Sequence, residues 1–270
     1  MSVLSDREIK RLLFDATVPL AERIRVLVGD DPIPVDRVRP ASIDLTVSNE
    51  FRKLSHRKWL LFRRVFDLAR IEREEIEKWH SRVIYATRER GITIYPGELV
   101  LALTAERIKL PDNIMGFVVG RNSYARLGLQ VTTVANMKTP GHDGCITLQI
   151  KNAAPFPIRL YPGIRLCQLV LIKMNGPCEK ADRLGRYGHE NQVGWSKFWD
   201  DDEIRELRTI DRKRQIDWKG WLNLLTVVSS ILAVYQIVAQ PGSKGVIFSV
   251  AITIALIVIQ IIVYFIERNG

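Results

Sequence analysis

Turn-forming residues punctuate the middle of the chain closely enough to leave little room for long helices. They fall at Tyr95-Pro96-Gly97, Leu110-Pro111-Asp112-Asn113, Thr139-Pro140-Gly141, Asn152, Pro155, Pro157 and Tyr161-Pro162-Gly163, with every gap but the one from Asn113 to Thr139 shorter than about 15 residues. Between them lie short apolar runs: Leu99–Leu103, Gly116–Val119, Ile146–Ile150, Ile158–Leu160 and Leu166–Ile172. Short strands separated by tight turns make a sandwich or barrel, whereas βαβ units need helix-length spacers. The reading is therefore all-β. Upstream, Ala41–Val47 alternates like a half-buried strand, and Ser5-Asp6-Arg7-Glu8 is a capping box opening a short helix with Ile9, Leu12 and Leu13 on one face. The stretch 51–90 is dense in both charge signs and yields only one element, an exposed helix over Glu72–Lys78.

Charge is distributed unevenly along the 270 residues. Residues 221–266 hold one charged side chain, Lys244, in the turn Pro241-Gly242-Ser243-Lys244-Gly245. The flanking stretches, Trp221–Gln240 and Val246–Ile266, are each long enough to cross a hydrocarbon layer of about 30 Å as helices. A buried core hairpin competes with this reading, but the length favours a two-span transmembrane hairpin. Arg205, Arg208, Arg212, Lys213, Arg214 and Lys219 precede the first stretch and Arg268 follows the second. The excess of basic residues on that side predicts both termini in the cytoplasm and the protein in the cytoplasmic (inner) membrane. Trp218, Trp221, Tyr264 and Phe265 fall at one interface, and Asn223, Ser229, Gln236 and Gln260 inside the spans favour helix association. The expected division is a domain over 1–198, a charged linker over 199–217 and the hairpin over 218–270.

The charged N-terminus carries no secretory signal. Cys145, Cys167 and Cys178 are too few and too scattered for a disulfide framework or a zinc site, which suits a reducing compartment. A net charge of +10 is accounted for by an anionic bilayer and a polyphosphate ligand without invoking nucleic acid.

Two segments concentrate the residues that do chemistry. In Gly120-Arg121-Asn122-Ser123-Tyr124-Ala125-Arg126-Leu127-Gly128-Leu129, two guanidinium groups and a hydroxyl follow a glycine. That set suits phosphate oxygens, to which arginine gives bidentate charge-assisted bonds. In Pro140-Gly141-His142-Asp143-Gly144-Cys145-Ile146-Thr147-Leu148-Gln149, alternation puts Ile146, Leu148 and Ile150 toward a core and Thr147, Gln149 and Lys151 on the opposite face. A solvated strand face is the simpler account of that polar row, and a loop histidine such as His142 is more often incidental than catalytic. No P-loop, dinucleotide fingerprint or nucleophile elbow occurs, and the His-x-Glu and Cys-x-x-Cys set of zinc deaminases is missing.

Taken in order, these segments resemble the dCTP deaminase and dUTPase family. Val3–Ile9 is similar to the family's opening helix, and Arg39-Pro40-Ala41-Ser42-Ile43-Asp44-Leu45 to its first strand motif. Tyr95–Ala102, Leu110-Pro111-Asp112, the Gly120–Leu129 run, Pro140–Gln149, Leu160–Arg165 and Gln168-Leu169 follow in the family's order. Arg186-Tyr187-Gly188 through Gly194-Trp195-Ser196-Lys197-Phe198 matches its tail motif. The resemblance covers about residues 1–198 and leaves out the hairpin. It implies a distorted jelly-roll or β-barrel subunit, a homotrimer, and three sites between subunits for a deoxynucleoside triphosphate of the dCTP, dUTP or dTTP class. Arg121, Asn122, Ser123 and Arg126 would line the phosphate end, where magnesium accompanies the triphosphate. The main chain of Thr133, Val134 and Ala135 would read the base. Gln168, Arg186, Tyr187 and Gln192 would belong to the closing tail.

The resemblance also implies a metal-free deamination, in which a glutamate takes a proton from water as it attacks C4 of cytosine. Gln149 stands at that glutamate's place, and a carboxamide has no usable basicity near neutral pH. General-base catalysis contributes roughly 10²–10⁴-fold. The aspartate that activates water in dUTPases is Thr139, the first serine after the phosphate arginine is Asn122, and the aromatic after Pro-Gly is His142. The reading drawn from this is a membrane-anchored, catalytically degenerate nucleotide sensor, a pseudoenzyme that needs no cofactor for chemistry. The first alternative is an active dCTP deaminase or dNTP diphosphatase in pyrimidine deoxyribonucleotide metabolism, using Asp143 as a substitute base. The second is a trimerising domain that merely clusters the membrane helices.

Overall fold

The computed structural model describes residues 1–54, 67–71, 73–131, 137–179, 191–194, 196–239, 254, 255, 257 and 258. They fall into two compact units, one of Met1–Arg57 with Glu74–Ser196, the other of Lys58–Arg73 with Lys197–Gly270.

The first unit is built from strands, as the turn spacing predicts. After helix α1 (Asp6–Phe14) come β1 (Arg25–Val28), β2 (Ser42–Lys53), α2 (Arg73–Trp79), β3 (Ile92–Ile94), β4 (Leu99–Lys109), β5 (Ile114–Gly120), α3 (Asn122–Ala125), β6 (Leu129–Val131), β7 (Asp143–Asn152), β8 (Ile158–Leu160) and β9 (Arg165–Lys173). The main sheet runs β6-β7-β4-β2-β9-β5, with Met137–Lys138 added beside β5 and β1 beside β4; β3 and β8 form a separate pair. All of these pairs are antiparallel. Antiparallel ladders tolerate short connections, so the frequent turns and the sheet are one fact seen twice.

Alternation fixes the core. Ile43, Leu45, Val47 and Phe51 of β2, Val100, Ala102 and Ile108 of β4, Ile146, Leu148 and Ile150 of β7, and Leu169 and Leu171 of β9 are fully buried. Ser5 caps α1 by accepting from the Glu8 N–H, and Ile9 and Leu12 pack inward, which keeps the helix on the core. The exposed helix expected over Glu72–Lys78 is α2, shifted by one residue.

The second unit holds α4 (Asp202–Ala239), an unbroken helix of 38 residues. Within this unit Asp67 caps its own turn by accepting from Ala69 N–H at 2.9 Å, and Arg70 forks onto Asp211 of α4 at 2.9 and 3.1 Å. Ile204 is buried, whereas Trp221, Leu224, Leu225, Val227, Val228, Ile231, Val234, Tyr235 and Val238 are exposed. No helix among the described residues is long and apolar enough to cross a membrane. The turn at 241–245 lies outside the described residues, and so does all of the second apolar stretch except 254, 255, 257 and 258.

Candidate active site

The phosphate-type segment is a tight connection between the two ends of the sheet. β5 ends at Gly120, opposite Cys167 of β9, and the Arg121 N–H donates to the Leu166 carbonyl at 3.3 Å. The Arg121 carbonyl then accepts from the N–H groups of Tyr124 and Ala125, making the single turn of α3. Gly128 reverses the chain with φ +84°; a Cβ there would sit 2.8 Å from the Ala154 nitrogen. Glycine is demanded twice at this position, by the left-handed backbone and by the close approach. The turn leaves Asn122, Ser123 and Arg126 exposed on one loop, with Arg121 half-buried at its root.

Arg121 leads into a charged network that the motif reading left out. Its Nη1 donates to the Arg165 carbonyl at 3.1 Å. Fully buried Asp44 on β2 accepts from Arg39 Nε at 2.7 Å and from Gln168 Nε2 at 2.8 Å, with Arg165 Nη1 3.7 Å away. Arg165 Nη2 also meets Asp36 at 2.9 Å. Burial alone would raise the Asp44 carboxyl, but the hydrogen bonds from Gln168 and Arg39, with the charges of Arg39 and Arg121, hold it below the ordinary aspartate value. Asp44 and Gln168 are direct cross-strand partners, which puts both side chains on one face. Asp44, Arg39 and Arg165 were absent from the predicted site. The available signal was the row Ser42, Asp44, Thr46, three polar residues on one side of a strand buried on both. Thr46 meets the other buried acid, Glu106 of β4, through its backbone N–H and its hydroxyl, and burial raises the Glu106 carboxyl.

Gln149 lies on β7, on the polar side that the alternation predicts. Its register partner is Leu101 of β4, and the register partner of Leu101 on β2 is Arg52. Arg52, Leu101 and Gln149 therefore form one row across three strands, on the face opposite Phe51, Ala102 and Leu148. Gln149 is half-buried and makes no side-chain hydrogen bond among the described residues. It approaches the phosphate-type segment through β6, where Val131 opposes Ile150. In the sheet order it is three strands from Gln168.

Asp143, the predicted substitute base, is committed elsewhere. Arg107 Nε stands 3.0 Å and Lys109 Nζ 3.2 Å from its carboxylate. Burial would raise it, yet the hydrogen bonds from Lys109 and Arg107 prevail and hold its carboxyl below the usual range. A carboxylate so stabilised is a weaker base than a free one. His142 is buried, with Nε2 3.2 Å from the Gly144 carbonyl, so it closes the turn. Thr139 and Gln192 are exposed. Thr133, Val134, Ala135, Arg186 and Tyr187 lie outside the described residues. No set of three or more His, Cys, Asp or Glu side chains among the described residues is arranged to hold a metal ion.

The sequence model of the family described as dCTP deaminase-like matches residues 3–174. A protein named dCTP deaminase, dUMP-forming, from Methanosphaera stadtmanae is 33% identical over 193 residues, covering 71% of this chain and 87% of that protein. One of the same name from Nanoarchaeum equitans is 35% identical over 215 residues, covering 74% and 98%. Among solved structures, the 2'-deoxycytidine 5'-triphosphate deaminase of Agrobacterium tumefaciens aligns with a TM-score of 0.44 at 19% identity, over 62% of this chain and 45% of that one.

Proposed function

The chain belongs to the dCTP deaminase-like family, and from that premise we propose that it binds a pyrimidine deoxynucleoside triphosphate at inter-subunit sites of a homotrimer. The observation that carries this is the Arg121 network. Gln168 is fixed by the buried Asp44 carboxylate and Arg121 by the Arg165 carbonyl, and Ser123 and Arg126 are exposed on the adjoining loop with no side-chain partner among the described residues. Preorganised donors bind a polyphosphate without first having to be ordered. Magnesium beside the triphosphate would take its ligands from phosphate oxygens and water, since the described residues offer it no ligand cluster.

The names of the relatives support deamination of dCTP as the chemistry of this site. The residue at 149 sets its rate. An amide can hold the attacking water but cannot take its proton, and Asp143 is engaged by two cations. Turnover by this chain is expected about 10²–10⁴-fold below that of the same protein carrying Gln149→Glu. Ammonia release from dCTP, measured on both proteins side by side, tests this. A gain in the variant supports an intact site lacking only its base. Rapid turnover by the wild type, unchanged by Gln149→Glu, rejects that account of the chemistry.

Gln149 also favours a second reading, in which a bound nucleotide is sensed and not consumed. The sensed state would then reach the membrane through α4. Its charge-free half exposes nine large apolar side chains along one side of the helix, downstream of a basic stretch, and lipid is a natural solvent for such a face. We place this half and the second apolar stretch in the cytoplasmic membrane as the two-span hairpin, with both termini inside. The full chain should stay with the membrane fraction after alkaline carbonate washing; recovery in the supernatant would remove the anchor from the reading.

A further inference from the structure

Arg52 is the one residue of the Arg52–Leu101–Gln149 row that reaches beyond the sheet. Its Nη1 donates to the Ser81 carbonyl at 3.1 Å and its Nε to the Val193 carbonyl at 2.6 Å. The first partner is rigid, because Ser81 is tied to β2 twice more: its N–H donates to the Lys53 carbonyl at 2.9 Å, and its hydroxyl accepts from the Lys53 N–H at 3.0 Å. A planar guanidinium fixed at one nitrogen has little freedom left at the next, so the Nε–H is aimed at Val193. Val193 is itself 1% exposed, while Asn191 and Gln192 before it are exposed. The chain thus comes in from solvent, buries one apolar side chain and gives one carbonyl to a cation.

We propose that Arg52 is a positioning residue that pins the C-terminal segment at Val193 to the sheet face bearing Gln149. Two strand steps, about 10 Å, separate Arg52 from Gln149 along the row. The pin therefore holds Gln192 beside the candidate nucleotide site before a ligand arrives, and the ordering cost of that segment is met in folding rather than in binding. This deepens the proposed function and rests on the reading that the Gln149 face receives the nucleotide. The pin itself does not depend on that reading.

The test uses the full-length protein and Arg52→Ala. Without nucleotide, tryptic cleavage after Lys197 should be several-fold faster in the variant, because the segment upstream has lost its anchor. An equal cleavage rate overturns the pin whatever the nucleotide data show. In titrations, Arg52→Ala should weaken dCTP by about tenfold, the scale of one charge-assisted hydrogen bond. Binding of dCMP, which presents fewer phosphate oxygens to the segment, should change by less than twofold; equal weakening of both would reduce Arg52 to a structural residue and overturn the positioning role. Arg52→Lys, a single-point donor, should not restore either readout. If Arg52→Ala does not fold, Val193→Ser leaves the sheet intact and carries the same expectations. A wild type that resists cleavage but binds no dCTP would remove the proposed function and leave the pin standing.

Discussion

Asp44 shows how much one buried charge organises. Its carboxylate is met by Arg39, Arg165 and Gln168, and the residue that adjoins this set, Arg121, begins the phosphate-type loop. Since the folded Asp44 titrates below its unfolded value of about 3.8, its contribution is fully present above that value and is lost as pH falls through the lower folded one. Urea unfolding of the wild type should therefore weaken below about pH 4. Asp44→Asn should cost about 1–3 kcal/mol at pH 7 and flatten part of that acid limb. A variant as stable as wild type at pH 7 would contradict the role assigned to the network. The same logic applies with the opposite result to Asp143, a half-buried acid on a surface ladder whose cationic partners are exposed. Asp143→Asn should change stability by less than about 1 kcal/mol and any residual turnover by less than twofold. Abolished turnover would make Asp143 the base after all.

At the level of elements, the strands were legible because one face of each is apolar and turns bound them. β7 illustrates this: Ile146, Leu148 and Ile150 are wholly buried, and Gln149 faces the other way, as alternation requires. The core account predicts that Leu148→Ala costs about 2–5 kcal/mol in equilibrium unfolding. Gly128→Ala, which forces a side chain into a left-handed turn against the Ala154 nitrogen, should destabilise by more than 1 kcal/mol and weaken dCTP binding as well. What the sequence could not disclose is pairing between strands far apart in the chain. β2 is covered on both faces, so its polar row looked like a solvent face until β9 and β4 supplied Gln168 and Glu106. Arg165 could not be joined to Asp44 for the same reason, since register across so long a stretch leaves no local trace, whereas Arg39 reaches Asp44 through a local antiparallel pairing.

Over the whole molecule, the sequence divides its labour by charge density. Residues 1–217 carry nearly all the charged side chains, and 221–266 carry one. The compact units do not follow that boundary, because Lys58–Arg73, a stretch inside the charge-rich part, clusters with the C-terminal segment. The Arg70–Asp211 fork within that unit shows why: a turn preorganised by Asp67 offers a guanidinium to the polar half of α4. Local periodicity carries no information about such a docking, and the 51–90 stretch was unreadable for that reason. With Asp211 half-buried and Arg70 exposed, Arg70→Ala should loosen the first turns of α4, seen as faster amide exchange there, while leaving the strands of the first unit unchanged. Unchanged exchange in α4 would show the fork to be incidental.

Two carboxamides sit three places apart on β7 under opposite constraints. Asn152 spends both amide hydrogens on the carbonyls of Ile94 and Phe156 and its oxygen on the Ala154 N–H, so an acid there would set like partial charges against each other. Gln149 has no such obligations among the described residues. Glutamine and glutamate codons differ by a single nucleotide, so if position 149 holds the base as proposed, a lineage carrying this strand would surrender hydrolytic power and regain it in one mutational step. Neither direction requires the sheet to be rebuilt.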